Sequence, residues 1–432
     1  MKTCLSIKGD ILPGRYSELE KQILSECVGC GICVSACPVL PMSNLSKVQA
    51  KDISEEVVGV LRGTCVSEDV IERAFACSRC GICIDICPKD LNVYDLQQAL
   101  RCRIMSAGGR DLKFPNLLIN GRIWDTNTID EALVSIQAKP WDRPWVDEIP
   151  QNPKAVDTVL FLGCHNRRHV STISTVVDIL KSLQLEFVTV GGGNLCCGTP
   201  AQITGRLSDG DKQGSQLISA LSRYKPREVI VICPACHYRM EKEISHFCNV
   251  PFAIRHVHTT IAERLHKASF VQELDRKVTF HDPCKLGRMS GDYESARTVL
   301  REIPGVSLVE MADNRKESMC CGGTAWLYNP DYAERLRKSA MRCAAETGAD
   351  VLATACLFCH ENFSKVSSEY SYEILDVLEL LGEGMGVRHE NKLKKYATYN
   401  NPEKVINEAG AYIDVSSYKR ADLLQFLRVF FG

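Results

Sequence analysis

The sequence predicts a multidomain chain of the α+β and α/β classes, with a mostly helical N-terminal domain followed by two duplicated α/β domains that contain parallel-type sheets. In residues 155–385, short apolar runs typical of buried strands alternate with helical patterns, and this alternation indicates parallel sheets. The same order of strand runs, helical patterns and cysteines occurs twice there, which indicates an internal duplication. The length of 432 residues is sufficient for two or three domains.

The composition of the connecting segments predicts the domain boundaries. We expect the helical domain at 1–138, the two α/β domains at 155–275 and 276–385, and a C-terminal tail at 386–432. Residues 139–154 are predicted to be a linker, because their prolines interrupt regular structure and their two tryptophans can pin an extended segment to a neighbouring surface. These residues are Pro140, Pro144, Pro150, Pro153, Trp141 and Trp145. We expect the basic stretch and apolar end of the tail to dock a membrane partner, and the alternative is that the tail packs on the chain itself.

Cysteine content is the one unusual feature of the composition. The chain has 23 cysteines, a formal net charge of -1 and 24% charged residues. Cysteines clustered in CxxC units in a chain of this length indicate metal ligation in a reducing compartment rather than disulfides. The net charge favours no nucleic acid partner. No apolar stretch suits a signal peptide or a membrane span, so we expect a cytoplasmic protein, peripheral on the cytoplasmic face of a membrane only through a partner subunit.

The helical domain contains the run CxxCxxCxxxCP twice, at Cys27–Pro38 and Cys77–Pro88. This run is the bacterial ferredoxin signature, in which three closely spaced thiolates hold one cubane cluster and the fourth ligates the other cluster. We therefore predict a ferredoxin-like domain with two [4Fe-4S] cubane clusters and a helical insert between the two runs. The ligands are Cys27, Cys30, Cys33 and Cys87 for one cluster, and Cys77, Cys80, Cys83 and Cys37 for the other.

Each predicted α/β domain contains five cysteines in one arrangement, a single cysteine, then Cys-Cys-Gly, then CxxC. They are Cys164, Cys196, Cys197, Cys233 and Cys236 in the first domain, and Cys284, Cys320, Cys321, Cys356 and Cys359 in the second. All follow predicted strands, and ligands gather at the carboxyl ends of parallel strands. Thiolates select iron–sulfur clusters or zinc, and five is one more ligand than tetrahedral zinc accepts. The pattern therefore predicts an iron–sulfur site in each domain.

Other residues around these motifs have less specific interpretations. Both CxxC units are followed by histidine, His237 and His360, as in c-type haem attachment. Without an export signal, we interpret these histidines as hydrogen-bond partners of cluster sulfur or as ordinary buried histidines. The remaining cysteines are interpreted as small buried apolar residues. They are Cys4, Cys65, Cys102, Cys248 and Cys343.

Basic residues follow the single cysteine of each set, namely Arg167, Arg168 and His169 after Cys164, and Lys285 and Arg288 after Cys284. Each group is predicted to begin a helix at a strand end, where backbone N–H groups favour anions. Binding of an anionic substrate, charge compensation for a cluster, and solvated surface charge all remain open for these residues.

The five-cysteine arrangement resembles the CCG domain of heterodisulfide reductases and of the iron–sulfur subunits of glycolate and glycerol-3-phosphate dehydrogenases. Fused to a two-cubane domain, it resembles heterodisulfide reductase subunits of the D type. This resemblance implies that the ten CCG cysteines hold two non-cubane [4Fe-4S] clusters. The cubanes would pass electrons to these clusters from a membrane cytochrome b-type or flavoprotein partner. The non-cubane clusters would then reduce a disulfide to two thiols.

The resemblance also leaves an alternative, an electron-transfer subunit of a flavin-dependent glycolate/lactate or glycerol-3-phosphate dehydrogenase. The completeness of both five-cysteine sets favours the reductase. No GxGxxG fingerprint is present in the sequence, so we expect neither FAD nor NAD to bind this chain.

Overall fold

The N-terminal region is helical, as predicted. The computed structural model describes residues 12–109, 117–120, 122–399 and 401–430, so Cys4 lies outside the described part. The helices are α1 (Gly14–Glu26), α2 (Ile32–Ser35), α3 (Ala50–Leu61), α4 (Glu68–Ala76), α5 (Val93–Ser106) and α6 (Thr126–Ser135). Helices α3 and α4 form the predicted insert. An antiparallel hairpin of β1 (Leu117–Ile119) and β2 (Arg122–Trp124), which the sequence did not predict, precedes α6.

A first α/β unit, which we call the first repeat, follows the linker. Its strands are β3 (Thr158–Phe161), β4 (Val188–Val190), β5 (Glu228–Val231) and β6 (Ala253–His256), and its helices are α7 (Val170–Ser182), α8 (Thr199–Ile203), α9 (Leu207–Ser222), α10 (Pro234–Tyr238) and α11 (Val257–Ala262). The strands are parallel in the order β4-β3-β5-β6. Strands β3 and β5 are almost wholly buried, in agreement with their continuous apolar runs.

The second repeat has the same topology. Its strands are β7 (Arg276–His281), β8 (Val306–Val309), β9 (Val351–Thr354) and β10 (Glu373–Asp376), and its helices are α12 (Ser295–Glu302), α13 (Pro330–Ala345), α14 (Leu357–Ser364) and α15 (Val377–Gly384). The strands are parallel in the order β8-β7-β9-β10, which matches the first repeat and supports the predicted duplication. The sequence did not predict β6 and β10, because polar residues dilute the apolar signal of these edge strands.

The strand order places the cysteines. In each sheet the first strand connects towards one edge and the third strand towards the other, so a crevice opens between their carboxyl ends. Cys164 and Cys233 follow β3 and β5, and Cys284 and Cys356 follow β7 and β9. The topology therefore brings the single cysteine and the CxxC unit of each set to the crevice between those two strands.

The two repeats share one apolar core. Leu160, Ile173 and Val176 of the first repeat belong to the same buried cluster as Phe280 and Leu381 of the second. Helices α7 and α15 cross at this interface. A β-carbon at Gly382 of α15 would lie 2.3 Å from Cγ2 of Thr175 in α7, so the helices approach too closely for any larger residue. This close crossing fixes how the two repeats face each other.

The linker is partly ordered by the first sheet. Val146 lies beside Val190 as an isolated parallel bridge at the edge strand β4. The Trp145 side chain is buried, and its Nε1–H donates to Asp147 Oδ1 over 2.9 Å. Trp141 is 67% exposed, so the prediction that both tryptophans pin the linker is wrong for Trp141.

The C-terminal tail packs on its own chain. Its helices are α16 (Lys392–Thr398), α17 (Pro402–Glu408), α18 (Gly410–Ile413) and α19 (Arg420–Phe430). Leu423, Phe426 and Leu427 of α19 are fully buried in one apolar cluster with Leu133 and Ile136 of the α6 region. Of the two predicted possibilities for the tail, the chain's own surface is the one observed. No helix among the described residues combines the length and apolar character needed to cross a bilayer.

Replacing Gly382 with alanine tests the shared core. We expect Gly382→Ala to destabilise the protein by about 1–3 kcal/mol, because the added methyl group must force α7 and α15 apart. Thermal unfolding followed by circular dichroism under anaerobic conditions measures the effect. Gly14→Ala is the matched control, since no atom lies within 4 Å of a β-carbon there. An unchanged or higher Tm for Gly382→Ala would contradict the close crossing.

Candidate metal centres and a shared cavity

The first ferredoxin-type set comes together in the helical domain. Cys27, Cys30, Cys33 and Cys87 line one small cavity of about 40 Å³. Cys27 ends α1, Cys33 lies in α2, and Cys87 comes from the second CxxCxxCxxxCP run. Burial raises the pKa of the Cys33 thiol to about 11, and the nearby Cys27 and Cys87 add to this effect while Arg73 opposes it. The grouping is the crossed arrangement that the sequence predicts, with three cysteines from one run and the fourth from the other.

The second set shows the reciprocal arrangement. Burial raises the pKa of the Cys80 thiol to about 11, and among the neighbouring thiolates Cys37 of the first run adds most to this effect. Cys77 and Cys37 also act on the pKa of Cys83 in the same direction as burial. Cys37 therefore lies with Cys77, Cys80 and Cys83.

One arginine between these sets was missed by the sequence analysis. Arg73 of α4 is buried, lines the first cavity and carries a guanidinium close to Cys37, Cys77 and Cys33. Burial alone would lower its pKa, but these thiolates raise it above its ordinary value. A fixed positive charge beside both ligand sets can offset the negative charge of thiolate-ligated clusters. An isolated arginine in a predicted helix carries no sequence signal for this role.

Nine of the ten CCG cysteines line one central cavity of about 190 Å³. They are Cys164, Cys197, Cys233 and Cys236 from the first repeat, and Cys284, Cys320, Cys321, Cys356 and Cys359 from the second repeat. The two sets therefore face each other across a shared space. The tenth, Cys196, lines a neighbouring cavity of about 580 Å³, which Cys164 also borders, and its thiol lies 3.7 Å from that of Cys164.

The glycine of each Cys-Cys-Gly unit is required by its backbone. Gly198 and Gly322 have φ of 83° and 76°, and both lie against another segment. A β-carbon would come within 2.1 Å of Gly210 O in the first repeat and 2.4 Å of Ala333 O in the second. Only glycine fits this left-handed turn, which brings the preceding cysteine pair back towards the crevice.

The thiols of each CCG set perturb one another. Hydrogen bonds from Cys320 and Cys359 lower the pKa of Cys321 to about 6, although burial opposes the shift. Cys196 and Cys236 hold the pKa of Cys197 well below its ordinary value in the same way. One thiolate in each crowded group of thiols is thus favoured, and thiolates are the form that ligates soft metals. The donor sets therefore fit iron–sulfur ligation.

The predicted basic residues have different environments. Arg167 donates to Cys164 O over 3.1 Å and to Asn127 Oδ1 over 2.9 Å. Arg168 is buried against Asp130 and lies 3.3 Å from Glu361. Because these donors are engaged within the chain, neither arginine offers a free charge to the central cavity.

Lys285 is the basic residue of the second repeat that lines the central cavity. It donates to the Tyr94 hydroxyl, and its ammonium lies 4.1 Å from the centre of the Tyr94 ring and 4.7 Å from that of Tyr238. Burial, together with the charge of Arg79, lowers the pKa of Lys285 to about 8. A cation held over two aromatic faces beside Cys284 is positioned to meet an anionic group in the cavity.

The second repeat carries the contacts to the second ferredoxin-type set. Arg288 donates to Cys80 O over 2.7 Å and to Ser318 O over 2.9 Å. The Thr324 hydroxyl, which follows the second Cys-Cys-Gly-Gly, donates to Ser78 O. Arg288 therefore joins two backbone segments that carry candidate ligands.

The remaining cysteines and histidines only partly match the expectations. Cys102 is buried as predicted, but Cys65 is exposed, and Cys248 and Cys343 are half-buried. His237 and His360 are both buried. His237 Nδ1 lies 3.4 Å from Ser290 Oγ, whereas neither ring nitrogen of His360 has a hydrogen-bond partner among the described residues.

Comparison with known proteins identifies the same parts. Residues 158–241 and 278–364 match the cysteine-rich CCG domain, and residues 23–91 match the 4Fe-4S dicluster domain. The chain is 27% identical over 397 residues to the D-type subunit of the dihydromethanophenazine:CoB–CoM heterodisulfide reductase of Methanosarcina barkeri, covering 84% of this chain and 94% of that one.

Two further relatives are named for other oxidoreductases. The B-type subunit of fumarate reductase (CoM/CoB) from Methanothermobacter marburgensis is 26% identical, over 86% of this chain and 74% of its own length. EtfAB:quinone oxidoreductase of Syntrophomonas wolfei is 22% identical, over 73% of this chain and 47% of its own length. These domains and relatives show that the chain belongs to the D-type heterodisulfide reductase-like iron–sulfur proteins, in which a 4Fe-4S dicluster domain precedes two CCG domains.

Proposed function

We propose that this protein is the catalytic iron–sulfur subunit of a heterodisulfide reductase-like complex, which reduces a disulfide to two thiols. The observation that carries the proposal is the central cavity, where cysteines of both CCG sets and the cationic side chain of Lys285 face one space. A disulfide has two sulfur atoms, and two facing metal sites can accept one sulfur each. The D-type relatives from three Methanosarcina species support this assignment.

The proposed reaction is RSSR′ + 2e⁻ + 2H⁺ → RSH + R′SH. The S–S bond breaks, each sulfur gains one electron and one proton, and the electrons come from a partner subunit of the cytochrome b or flavoprotein class. Non-cubane iron–sulfur clusters at the CCG cysteines would supply one-electron reduction and an iron atom open to a sulfur ligand. The ten CCG cysteines would be the ligands of these clusters. The two cubanes would be held by Cys27, Cys30, Cys33 and Cys87, and by Cys77, Cys80, Cys83 and Cys37.

Contacts within the chain indicate where electrons would enter the central cavity. The loop of Cys77, Cys80 and Cys83 is tied to the second repeat through Arg288 and Thr324. Electrons from the dicluster domain would therefore enter the central cavity beside Cys284 and Cys320. The cavity lining is largely buried, which limits access of water to a half-reduced substrate.

Lys285 is proposed to bind an anionic group of the substrate. Its ammonium is the cation that the second repeat presents to the cavity, and Tyr94 and Tyr238 hold it in place. Arg167 and Arg168 are assigned instead to positioning the segment that follows Cys164, because their guanidinium groups are already paired within the chain. The same reasoning assigns Arg288 to positioning the Cys80 loop.

The cysteine variant Cys321→Ser tests the reductase assignment. With reduced viologen as donor, we expect Cys321→Ser to abolish thiol release from anionic disulfides, because serine cannot replace a thiolate ligand. The dicluster cubanes have separate ligands, so they should remain reducible by dithionite. Thiol titration measures the activity, and low-temperature EPR measures the cubanes.

Cys248→Ser is the matched control, since Cys248 lies outside every ligand set and is half-buried. It should keep the activity of the unaltered protein. Full activity in Cys321→Ser would contradict the proposed site. Absence of turnover with any disulfide in the unaltered protein, alongside rapid electron exchange with a flavoprotein dehydrogenase, would favour the alternative electron-transfer function.

Substitution of Lys285 tests substrate recognition. We expect Lys285→Met to lower kcat/KM for an anionic disulfide by about 10- to 100-fold, the loss of one charge-assisted hydrogen bond of about 1–3 kcal/mol. A neutral disulfide of similar size should be affected much less. Lys285→Arg keeps the charge and should recover part of the loss. Equal losses for the anionic and neutral disulfides would show that Lys285 acts on the metal site or the fold rather than on substrate charge.

A further inference from the structure

A second group of metal-ligand side chains lies outside the cysteine sets, at the junction of the two repeats. His165 directly follows Cys164, and His169 lies at the start of α7 in the first repeat. Glu361 lies in α14 of the second repeat, two residues after Cys359. One ligand atom from each of these three residues lies within 4.8 Å of the other two. Two histidines and one glutamate are a donor set that proteins use for zinc.

The spacing of the donor atoms fits a tetrahedral ion. His165 Nε2 lies 3.2 Å and His169 Nε2 lies 3.6 Å from the same carboxylate oxygen, Glu361 Oε2. Ligands about 2.0–2.1 Å from a tetrahedral zinc ion are separated from one another by roughly 3.3 Å. The two observed separations lie on either side of this value.

Hydrogen bonding does not satisfy the Nε2 atoms of His165 and His169. The Nε2 atoms of His165 and His169 are both buried and have no aligned hydrogen-bond partner among the described residues, despite their closeness to Glu361. His169 is only 3% exposed, so water cannot freely satisfy its nitrogen. Unsatisfied buried nitrogen atoms are costly, and a shared cation would satisfy both.

Neighbouring residues hold the carboxylate in place. Arg168 Nη1 lies 3.3 Å from both oxygens of Glu361, and the Arg168 guanidinium is itself held by Asp130. Hydrogen bonds of this kind orient ligating carboxylates in metal sites. The positive charge of Arg168 disfavours a nearby cation, and Asp130 offsets it.

The internal duplication supplies a comparison within the same chain. Counted from the single cysteine, His165 and His169 correspond to Lys285 and Met289. Counted from the CxxC unit, Glu361 corresponds to Tyr238. In the structure Met289 and Tyr238 pack in one apolar cluster, and the Lys285 ammonium lies 4.7 Å from the centre of the Tyr238 ring.

The fold therefore brings these three positions together at both junctions between the repeats. At one junction the side chains form an aromatic and cationic group. At the other, all three side chains are of metal-ligand types. The difference is in the sequence, so the ligand character of the second group is not imposed by packing alone.

We propose that His165, His169 and Glu361 bind a divalent transition metal ion, zinc by preference, that cross-links the two CCG domains. Imidazole nitrogen and a carboxylate oxygen suit zinc better than they suit an iron–sulfur cluster. The ion joins the segment after Cys164 to helix α14, which contains Cys359, and so holds the two sides of the central cavity together.

Zinc content and zinc X-ray absorption of the anaerobically purified full chain, produced with zinc supplied, test the proposal. We expect about one zinc per chain, with a nitrogen and oxygen shell near 2.0 Å and no sulfur shell near 2.3 Å. His169→Gln and Glu361→Gln should each reduce retained zinc roughly tenfold or more after dialysis against a mild chelator. Unchanged iron content and unchanged cubane EPR signals would show that both variants are folded.

His389→Gln is the matched control. His389 Nε2 lies 2.8 Å from Asp178 Oδ2, an exposed histidine–carboxylate pair, so its loss should leave zinc content unchanged. Zinc with a sulfur shell would place the ion at cysteines and overturn the proposal. Absence of zinc from the unaltered chain, or retention of zinc by both variants, would also overturn it.

Discussion

The packing of the two repeats on one shared core is the constraint on which the candidate site depends. Helices α7 and α15 cross where Gly382 leaves no room for a side chain, and Leu160 and Phe280 of the two sheets lie in the same buried cluster. This packing turns the crevices of both sheets towards each other. Each sheet alone would carry five cysteines around its own crevice. Only the packed pair creates a cavity with cysteines on both sides.

Arginine side chains that donate to backbone carbonyls hold the dicluster domain to the two repeats at several points. Arg101 of α5 donates to Ala74 O over 2.6 Å, to Cys77 O over 2.7 Å and to Ile203 O of the first repeat over 2.7 Å. Arg288 makes the equivalent link from the second repeat to Cys80 O. Buried guanidinium groups that satisfy several carbonyls make such junctions rigid. Fixed distances between candidate clusters are what an electron-transfer route requires.

The structure brings together most of the cysteines that the sequence grouped, because cysteine spacing in short loops reports local geometry, and their ligation of clusters stays a prediction. The sequence also predicted the duplicated parallel sheets, since their central strands are continuous apolar runs. It could not separate Lys285 from Arg167 and Arg168, because their partners Tyr94, Glu131 and Glu361 come from distant segments. Arg73, Arg101 and Glu361 had no motif to mark them. The edge strands β6 and β10 were missed because each has only two apolar residues, followed or flanked by charged and histidine side chains.

The central claim is that both CCG sets hold iron–sulfur clusters on either side of one cavity. Iron quantification with EPR and Mössbauer spectroscopy on anaerobically purified protein tests it most directly. About sixteen irons per chain, four for each of four clusters, with two cubane signals and two centres of a different type, are the predicted result. About eight irons per chain, all in cubanes, would contradict the claim and leave the CCG cysteines without clusters.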